Sequence, residues 1–530
     1  MFNIIMQNPI IKRYSFSLFR KSSIIISGII YVSLILLINS FAVLYLIANM
    51  KSGVTSVDIR ELSRLVYPWM LGLSILAFWI MASITPVSIV FSQIVKGSQD
   101  FFEILPLSGL KKAAGLLIGT NLIYYPLSII SIILTTQYGI LADFRTGMQL
   151  NVIYFFVTVG LFCNTLSILA GVSSIKLTKR QKNVGGNPLA ATIFAVIFLG
   201  FPLIGALSNS GHNFFEFDKI TLSFYSFKIP IMILFGSIAL YLAVWNFLGT
   251  ARKLTDKTLP FFTRPGAVIY FLSLQFLIFG FFFEYMLNNK PNRLLLVTIS
   301  SIILFFLMLI ISIASLRQKK RVFNAIDRIS TDYNTKQIQV QERDSGENIS
   351  LTESQPRLPI TALLKIINQS NLPVFGILFI LWAITSLTLT ILSDMPAWDI
   401  ISIHFLTFTV FTLFAAGASE LYILLKDSRW KYHFIVTLFL FIYQGGICLG
   451  GILVHSTSLL IFSFPGYLFS MFNNSIFSTV SNSERIQALA FNLFIAIATI
   501  SGVIYLYYIH LEKTRTLIET DLYKKLKRDN

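Results

Sequence analysis

The stretch "SIIISGIIYVSLILLINSFAVLYLIA", Ser23 to Ala48, decides the fold class because it contains no charged side chain. Crossing a hydrocarbon core of roughly 30 Å takes about 20 apolar residues in a helix, and only helices and closed barrels satisfy their backbone polar groups in lipid. The run is continuous rather than alternating, so it predicts a membrane-spanning helix and not a barrel strand. It is also longer than the apolar part of a cleavable signal peptide, so we predict a retained span.

The rest of the chain has the same character. Of its 530 residues 55% are hydrophobic and only 12% are charged, whereas soluble domains contain about 25% charged residues. Division at the charged clusters predicts about twelve spans by the same length criterion, near residues 23–49, 67–94, 113–136, 151–172, 188–207, 229–249, 266–286, 294–316, 373–393, 400–424, 434–455 and 488–508. The predicted fold class is therefore all-α, a polytopic membrane helical bundle.

The same division predicts four regions. Residues 1–316 form an N-terminal membrane region of about eight spans and residues 373–510 a C-terminal region of about four. Residues 317–372 between them form a cytoplasmic linker, whose core is polar and lacks apolar periodicity. Residues 511–530 form a basic cytoplasmic tail. The apolar stretch 456–487 is assigned to the outside as a re-entrant or interfacial element, with a thirteenth span as the alternative.

The distribution of basic residues predicts the orientation. If the N-terminus is cytoplasmic, 33 of the 42 Lys and Arg residues fall on the cytoplasmic side, as the positive-inside rule requires. We therefore predict a multi-pass protein of the cell (inner) membrane with both termini in the cytoplasm. The net charge of +18 is then explained by orientation and contact with anionic lipids, and no nucleic-acid partner is expected.

A short polar segment, "KGSQDFFEILPLSGLKKAAG" (Lys96 to Gly115), joins the second and third spans on the predicted cytoplasmic side. Its aromatic and acidic residues form an amphipathic turn that Pro106 would end. One interpretation is a helix on the membrane surface. The other is a docking helix for a cytoplasmic partner, and the candidate contact residues are then Asp100, Phe101, Phe102, Glu103, Leu105, Pro106, Leu107 and Ser108.

Two segments of the N-terminal region resemble those of ABC-2-type permeases, the membrane subunits of ABC exporters. The first is "NPIIKRYSFSLFRKSS" (Asn8 to Ser23), similar to the Asn-Pro and basic interfacial segment with which many of these permeases open. The second is "FFEILPLSGLKKAAGLLIG", similar to the acidic motif ending in Pro-Leu-Ser that follows their second span, with matches at Glu103, Leu105, Pro106, Leu107 and Ser108, although the usual early acidic residue is Lys96 or Gln99 here and the following Gly-Lys pair is loosened. The resemblance covers roughly residues 1–135.

The resemblance implies a permease whose loop between spans two and three contains a coupling helix that contacts a cytoplasmic ABC ATPase subunit. A second charged cytoplasmic segment, "ELYILLKDSRWKYHF", offers weaker candidate contacts at Glu420, Lys426, Asp427 and Trp430, and it favours a pseudo-duplicated arrangement. An ordinary loop with Trp430 at the membrane interface explains this second segment almost as well. The exported substrate cannot be read from the sequence.

The sequence offers no energy source of its own. It has no G-x-x-x-x-G-K-[ST] run to cradle nucleotide phosphates, and its five histidines are scattered without metal-binding spacing. Ion-coupled carriers usually need an ionisable group deep in the membrane, but Glu284 and Glu420 fall at span ends. Asn121 and Asn164 lie deeper, together with Asn246 and Gln275, and such amides usually pack helices. We expect no catalytic residue, metal or cofactor.

Two other functions remain open at this point. One is a membrane-embedded enzyme or scaffold for lipid or cell-wall assembly, whose site would lie in the external loops 208–228 or 456–487. The first of these loops offers His212, Glu216 and Asp218, but at no spacing that requires catalysis. The other is a secondary carrier, which the shortage of acidic residues deep in the spans disfavours.

Overall fold

The structure is a computed structural model. It describes residues 8–19, 23–51, 59–95, 105–173, 221–256, 259–288, 293–316, 322–324, 364, 367–392, 398–425 and 482–529. The chain divides into two compact units, Met1–Phe261 (unit 1) and Phe262–Asn530 (unit 2). This boundary falls between the sixth and seventh predicted spans. The predicted spans 188–207 and 434–455 and the stretch 456–481 lie outside the described residues.

The described part of unit 1 is helical except for one β-hairpin. Its elements are α1 (Pro9–Phe19), α2 (Ser23–Lys51), α3 (Ile59–Ile75), a π-helical segment (Leu76–Met81), α4 (Ala82–Val95), α5 (Gly109–Thr120), α6 (Tyr124–Leu141), α7 (Thr146–Ser173), β1 (Thr221–Phe224), β2 (Phe227–Pro230) and α8 (Ile231–Thr255).

Helices α7 and α8 pack side by side and run in the same direction. Near their starts the Tyr154 hydroxyl lies 2.9 Å from the Ser237 Oγ. Near their ends Ile168 and Val172 share a buried cluster with Ala251 and Leu254. The C-terminal ends of both helices therefore lie at one end of unit 1, which we call the inner end because the sequence predicts it to face the cytoplasm.

The third predicted span is not one straight helix. Residues 113–136 were expected to cross as a unit, but α5 ends at Thr120 and α6 begins at Tyr124, with a bend of 64° between them. Pro126 lies in the first turn of α6. Proline lacks the backbone N–H that would continue the earlier helix, but it is accepted in a first helical turn.

The second predicted span is continuous but contains the π-helical segment Leu76–Met81 between α3 and α4. Pro86 follows one turn later, where its ring crowds the carbonyl of Ala82. Widened turns of this kind occur mostly as single insertions at bends or functional sites. Here the segment directs Trp79 into the core, where its Nε1 donates to the Phe156 carbonyl of α7 at 2.9 Å.

A two-stranded hairpin precedes α8, in a region that the sequence analysis assigned to an external loop. Thr221 pairs with Pro230 and Phe224 with Phe227 in antiparallel register. The two turn residues, Tyr225 and Ser226, both have positive φ, 48° and 66°, as a two-residue turn of type I′ requires. Neither is the Asn or Gly that usually marks such a turn, so the sequence did not predict the strands.

Unit 2 contains α9 (Arg264–Asn288), α10 (Arg293–Ala314), α11 (Leu372–Leu392), α12 (Trp398–Leu425) and α13 (Asn482–Asp529). An aromatic cluster joins three of these helices. The Phe305 ring of α10 lies 5.3 Å from the Trp382 ring of α11 and 4.5 Å from the Phe408 ring of α12. The Trp382 Nε1 also donates to the Ser301 carbonyl at 2.9 Å, so the buried indole has its hydrogen bond.

The described helices are those of a membrane protein. Five are long and apolar enough to cross a membrane, or up to six if the bent pair α5–α6 counts as one span. Further apolar helical stretches lie within α2, α10, α11 and α12, at Gly28–Leu44, Ser300–Ala314, Leu372–Thr388 and Phe408–Leu421. Large apolar side chains on α2, such as Ile29, Leu36 and Phe41, are about half exposed or more, as expected for a helix that contacts lipid. The count of twelve spans and the duplication stay predictions.

Candidate functional site

The structure describes part of each predicted contact segment. Leu105, Pro106, Leu107 and Ser108 fall within it, and so does Glu420. Outside the described residues lie Asp100, Phe101, Phe102, Glu103, Lys426, Asp427 and Trp430. The docking role of all twelve residues stays a prediction.

The described end of the first segment is a compact turn that leads into α5. The Leu107 N–H donates to the Leu105 carbonyl at 2.8 Å, which closes a three-residue turn around Pro106. Ser108 then caps α5, because its extended backbone leaves its Oγ facing the Lys111 N–H at 3.5 Å. Leu105 and Leu107 pack against the buried cluster at the inner end, so this part of the segment is joined to the helical core.

The two segments that carry the resemblance contact each other. Asn8 caps α1 through its Oδ1, which accepts from the Ile10 N–H at 3.0 Å. Its Nδ2 donates to the Lys111 carbonyl of α5 at 2.8 Å. One asparagine side chain therefore ties the start of the N-terminal segment to the first turn of the helix that follows the Pro-Leu-Ser motif.

Small residues let α1 lie close against α5. Gly115 faces Asn8 and Ile10, and a Cβ added there would lie 2.8 Å from the Asn8 Nδ2. One turn later, a Cβ on Gly119 would lie 3.1 Å from the Tyr14 ring. Ile10, with 0% exposure, and Tyr14 belong to the same buried cluster as the core of α5. The contact face of α1 is therefore apolar and closely packed.

The start of α5 also lies against the end of α8. A Cβ on Gly109 would lie 2.2 Å from the Ala251 carbonyl oxygen and 2.3 Å from the Thr255 Oγ1. Only glycine permits this approach without backbone movement. Helices α1, α5 and α8 thus form one packed group at the inner end, which we call the inner-end group.

Each of the three helices of the inner-end group carries basic residues, some exposed and some buried. Lys12, Arg13 and Lys111 are exposed, while Lys112 is 3% exposed. The Arg252 Nε donates to the Pro260 carbonyl at 3.3 Å. Basic side chains at the end of a helical bundle favour the cytoplasmic face and contact with anionic headgroups.

In unit 2 the described member of the second segment, Glu420, is completely buried. Its Oε1 accepts from the Asn371 backbone N–H. Its Oε2 accepts from the Asn371 Nδ2 at 3.2 Å and from the Tyr507 hydroxyl at 3.0 Å. The Leu372 N–H, which donates to the Ser370 Oγ at 3.3 Å, also faces the carboxylate. The carboxylate therefore caps the N-terminus of α11, where the helix dipole favours a negative charge.

A cation holds the chain just before this point. The Arg264 guanidinium donates from Nη1 to the Asn368 Oδ1 at 3.1 Å and from Nη2 to the Ser370 carbonyl at 2.9 Å. Residues 367–369 are helical, and a two-residue bend at Ser370 and Asn371 separates them from α11. The positive guanidinium of Arg264 lies at the carbonyl end of the short helical turn, and the carboxylate of Glu420 lies at the N-terminus of α11. Both placements are favourable in the field of the backbone dipoles. We use the name elbow clamp for this arrangement. It consists of the bend at residues 368–372 and the three side chains that hold it, Arg264, Glu420 and Tyr507.

The elbow clamp shows what sequence reasoning missed about Glu420. The sequence placed Glu420 at the end of a span, as one of the contacts of an exposed segment, whereas its side chain is 0% exposed. Its hydrogen-bond partners are distant in sequence, so only the fold reveals them. In this arrangement the carboxylate joins α11, α12 and α13 within unit 2.

Neither unit shows a metal site in its described residues, where no group of three or more His, Cys, Asp or Glu side chains could hold an ion. No protein family, curated protein or solved structure matches the chain. The function must therefore be argued from the chain's own residues.

Proposed function

We propose that the chain is the membrane-spanning permease subunit of an ABC exporter and that a separate cytoplasmic ATPase subunit supplies its energy. The observation that carries the proposal is the contact between the two segments that resemble ABC-2-type permeases. Although the two residues are 103 positions apart in the sequence, the Asn8 Nδ2 donates to the Lys111 carbonyl. A chance similarity in two unrelated segments would not require them to meet.

The inner-end group gives the proposal a mechanical basis. A coupling helix at 100–108 would end at the turn around Pro106, and this turn continues into α5 through the Ser108 cap. Movement imposed on the segment by an ATPase would reach α1 and α8, because both pack on α5. The apolar residues Phe101 and Phe102 would anchor the segment in a cleft of the partner, and Glu103 would meet a polar or basic rim.

The alternatives rest on other regions. His212, Glu216 and Asp218, the candidate residues of an enzyme or scaffold site in the loop 208–228, lie outside the described ranges, so no geometry supports such a site. A carrier would need a titratable group exposed to a transport path. Among the acidic residues that the structure describes, Glu420 is the strongest candidate because it is buried in an apolar helix, but it caps α11 and already accepts three hydrogen bonds. This arrangement favours a structural role for Glu420.

The proposed orientation can be tested by cysteine labelling in a Cys163→Ala, Cys448→Ala background. A cysteine at Ser345, in the predicted linker, should react with a membrane-impermeant maleimide only after permeabilisation. A cysteine at Ser226, the exposed tip of the hairpin, should react in intact cells. External labelling at position 345 would contradict the proposed orientation.

The proposed coupling segment can be tested by co-purification with the cognate ATPase subunit. Phe102→Ala should weaken binding by about 1–3 kcal/mol if the ring is an interface anchor. Glu103→Lys should weaken it more than Glu103→Ala, because lysine adds repulsion at a basic rim. All three variants should reach the membrane in normal amounts, since the residues lie outside the predicted spans.

Glu61→Lys is the matched control for the charge reversal. Glu61 is exposed in the first turn of α3, near the end of unit 1 that is opposite to the inner end in the predicted topology. It should leave ATPase binding unchanged. Full binding and transport by both Phe102→Ala and Glu103→Lys would mean that the segment is an ordinary surface loop, and the proposed function would lose its main support.

A further inference from the structure

The interior of unit 1 contains a polar cluster at the break between α5 and α6. Asn121 immediately follows α5, Tyr125 lies in the first turn of α6, and Asn164 lies on α7. Both asparagines have 0% exposure. The π-helical segment is adjacent, because the Phe78 ring lies 5.6 Å from the Tyr125 ring. The π-helical segment and the break between α5 and α6 therefore lie next to each other, beside the two buried amides.

The orientation of Asn164 is set by α4. The Ser83 Oγ donates to the Asn164 Oδ1 at 2.9 Å, and the Ser167 Oγ donates to the Ser83 carbonyl at 2.6 Å. These bonds confirm the expected helix-packing role of Asn164. Its Nδ2, however, is buried without a hydrogen-bond partner among the described residues. It faces the Tyr125 hydroxyl but does not reach it with ordinary hydrogen-bond geometry.

In Asn121 the unpaired atom is the amide oxygen, whereas in Asn164 it is the amide nitrogen. The Asn121 Nδ2 donates to the Tyr125 hydroxyl at 3.4 Å, whereas its Oδ1 is buried and has no partner in the described part of the chain. Reversing either amide would exchange the roles of its oxygen and nitrogen but would still leave one atom unpaired. The defect therefore does not depend on how the amides are oriented.

Buried polar atoms without partners are rare in proteins because their desolvation is not compensated. Here an acceptor and a donor are both unpaired, and both side chains approach one tyrosine hydroxyl. A water molecule needs two to four polar partners in a buried site. It would donate to the Asn121 Oδ1, accept from the Asn164 Nδ2 and exchange a hydrogen bond with the Tyr125 hydroxyl, which can donate or accept.

We propose that Asn121, Tyr125 and Asn164 form a binding site for a buried water molecule at the bend between α5 and α6. The water supplies hydrogen bonds that a broken helix cannot make within itself, which is how broken helices are tolerated inside membranes. It also makes the bend adjustable, because a water can move with the side chains when the 64° angle changes. The site is then a hydrated hinge in unit 1, whichever cargo the protein carries.

Hydroxyl-radical footprinting with a short X-ray pulse tests the proposal in the full-length protein in lipid nanodiscs. The pulse creates radicals from water itself, so a bound water oxidises the side chain next to it. We expect Tyr125 to be oxidised severalfold faster in the wild type than in Asn164→Leu, which removes a partner of the water. Phe305, with 0% exposure in the aromatic cluster of unit 2, should be unreactive in both proteins. Equal oxidation of Tyr125 in the two proteins would overturn the proposal.

Thermal stability gives a second readout that does not depend on oxidation. If the amides are dry, removing one unpaired atom does not affect the other, so the effects of Asn121→Leu and Asn164→Leu on the melting temperature should add, although Asn164→Leu also loses the hydrogen bond from Ser83. If the amides share a water, each change should lower the melting temperature by about 2–4 °C, and the double variant should lose less than the two losses added together. Gln275→Leu, which removes another unpaired buried amide nitrogen, provides a comparison in unit 2. Additive effects of the two asparagine changes would also overturn the proposal.

Discussion

Gly109→Ala is expected to destabilise unit 1 by about 3 kcal/mol, at the upper end of the usual cost of overpacking. The added methyl group would lie 2.2 Å from the Ala251 carbonyl oxygen and 2.3 Å from the Thr255 Oγ1. The first of these is a backbone atom in the last turns of α8, so no side-chain rotation relieves the clash. Either α5 or α8 must move, and the inner-end group must open. The measurement is the free energy of unfolding in mixed micelles, together with retention of the ATPase on co-purification.

Gly72→Ala provides the matched control. Gly72 lies inside α3, and a Cβ added there meets nothing within 4 Å. Since alanine is a better helix former than glycine, this variant should be more stable by up to about 1 kcal/mol. If Gly109→Ala is as stable as the wild type while Gly72→Ala behaves as expected, then α5 and α8 do not approach as closely as described. Loss of ATPase binding without loss of stability would instead indicate that Gly109 itself lies in the docking surface.

The positions of most helices could be predicted because the length of an apolar run is a strong constraint in a membrane. The run Ser23 to Ala48 corresponds to α2, and the predicted span 151–172 corresponds to α7. The break at Asn121–Ile123 was missed, although Pro126 was a usable signal. In a water-soluble helix this proline would have suggested a boundary. In a membrane helix proline is common enough for apolar length to dominate the prediction.

The contacts between distant segments could not be predicted in the same way. Asn8 and Lys111 were both noticed in their own segments, but hydropathy does not indicate which helices are neighbours. The same limit applies to Glu420, whose burial depends on Asn371 and Tyr507. The resemblance marked two segments at the inner end, but it gave no signal for the unpaired amides of Asn121 and Asn164. Their significance depends on three-dimensional proximity.

The elbow clamp and the inner-end group use similar physics in the two units. At the inner end of unit 1, Asn8 caps α1 and also holds the first turn of α5. In unit 2, Glu420 caps α11 and accepts a hydrogen bond from Tyr507 of α13. In each case a polar side chain satisfies the exposed N–H groups of one helix and joins it to another. The sequence therefore places polar residues where helix ends must be both satisfied and positioned.

The elbow clamp should be the most sensitive point of unit 2. Glu420→Ala is expected to cost about 3–5 kcal/mol, because each buried donor left without a partner costs about 1–3 kcal/mol. It would leave the Asn371 N–H, the Asn371 Nδ2 and the Tyr507 hydroxyl buried without their acceptor. Glu420→Gln keeps one acceptor oxygen and should cost less, and Tyr507→Phe should cost about 1–3 kcal/mol because it removes one hydrogen bond to a charged group. Unfolding of the full-length protein in mixed micelles measures all three.

The double variant Glu420→Ala/Tyr507→Phe separates a shared network from two independent losses. If the carboxylate and the hydroxyl stabilise each other, its cost should be smaller than the sum of the single costs by about 0.5–3 kcal/mol. Glu284→Ala, at a partly exposed position on α9, should stay within about 0.5 kcal/mol of the wild type. A stable Glu420→Ala that no longer binds the ATPase would support the docking role predicted from the sequence and would exclude the clamp. A destabilised Glu420→Ala whose folded fraction still binds the ATPase would assign Glu420 to the architecture of unit 2 and leave coupling to the segment at 100–108.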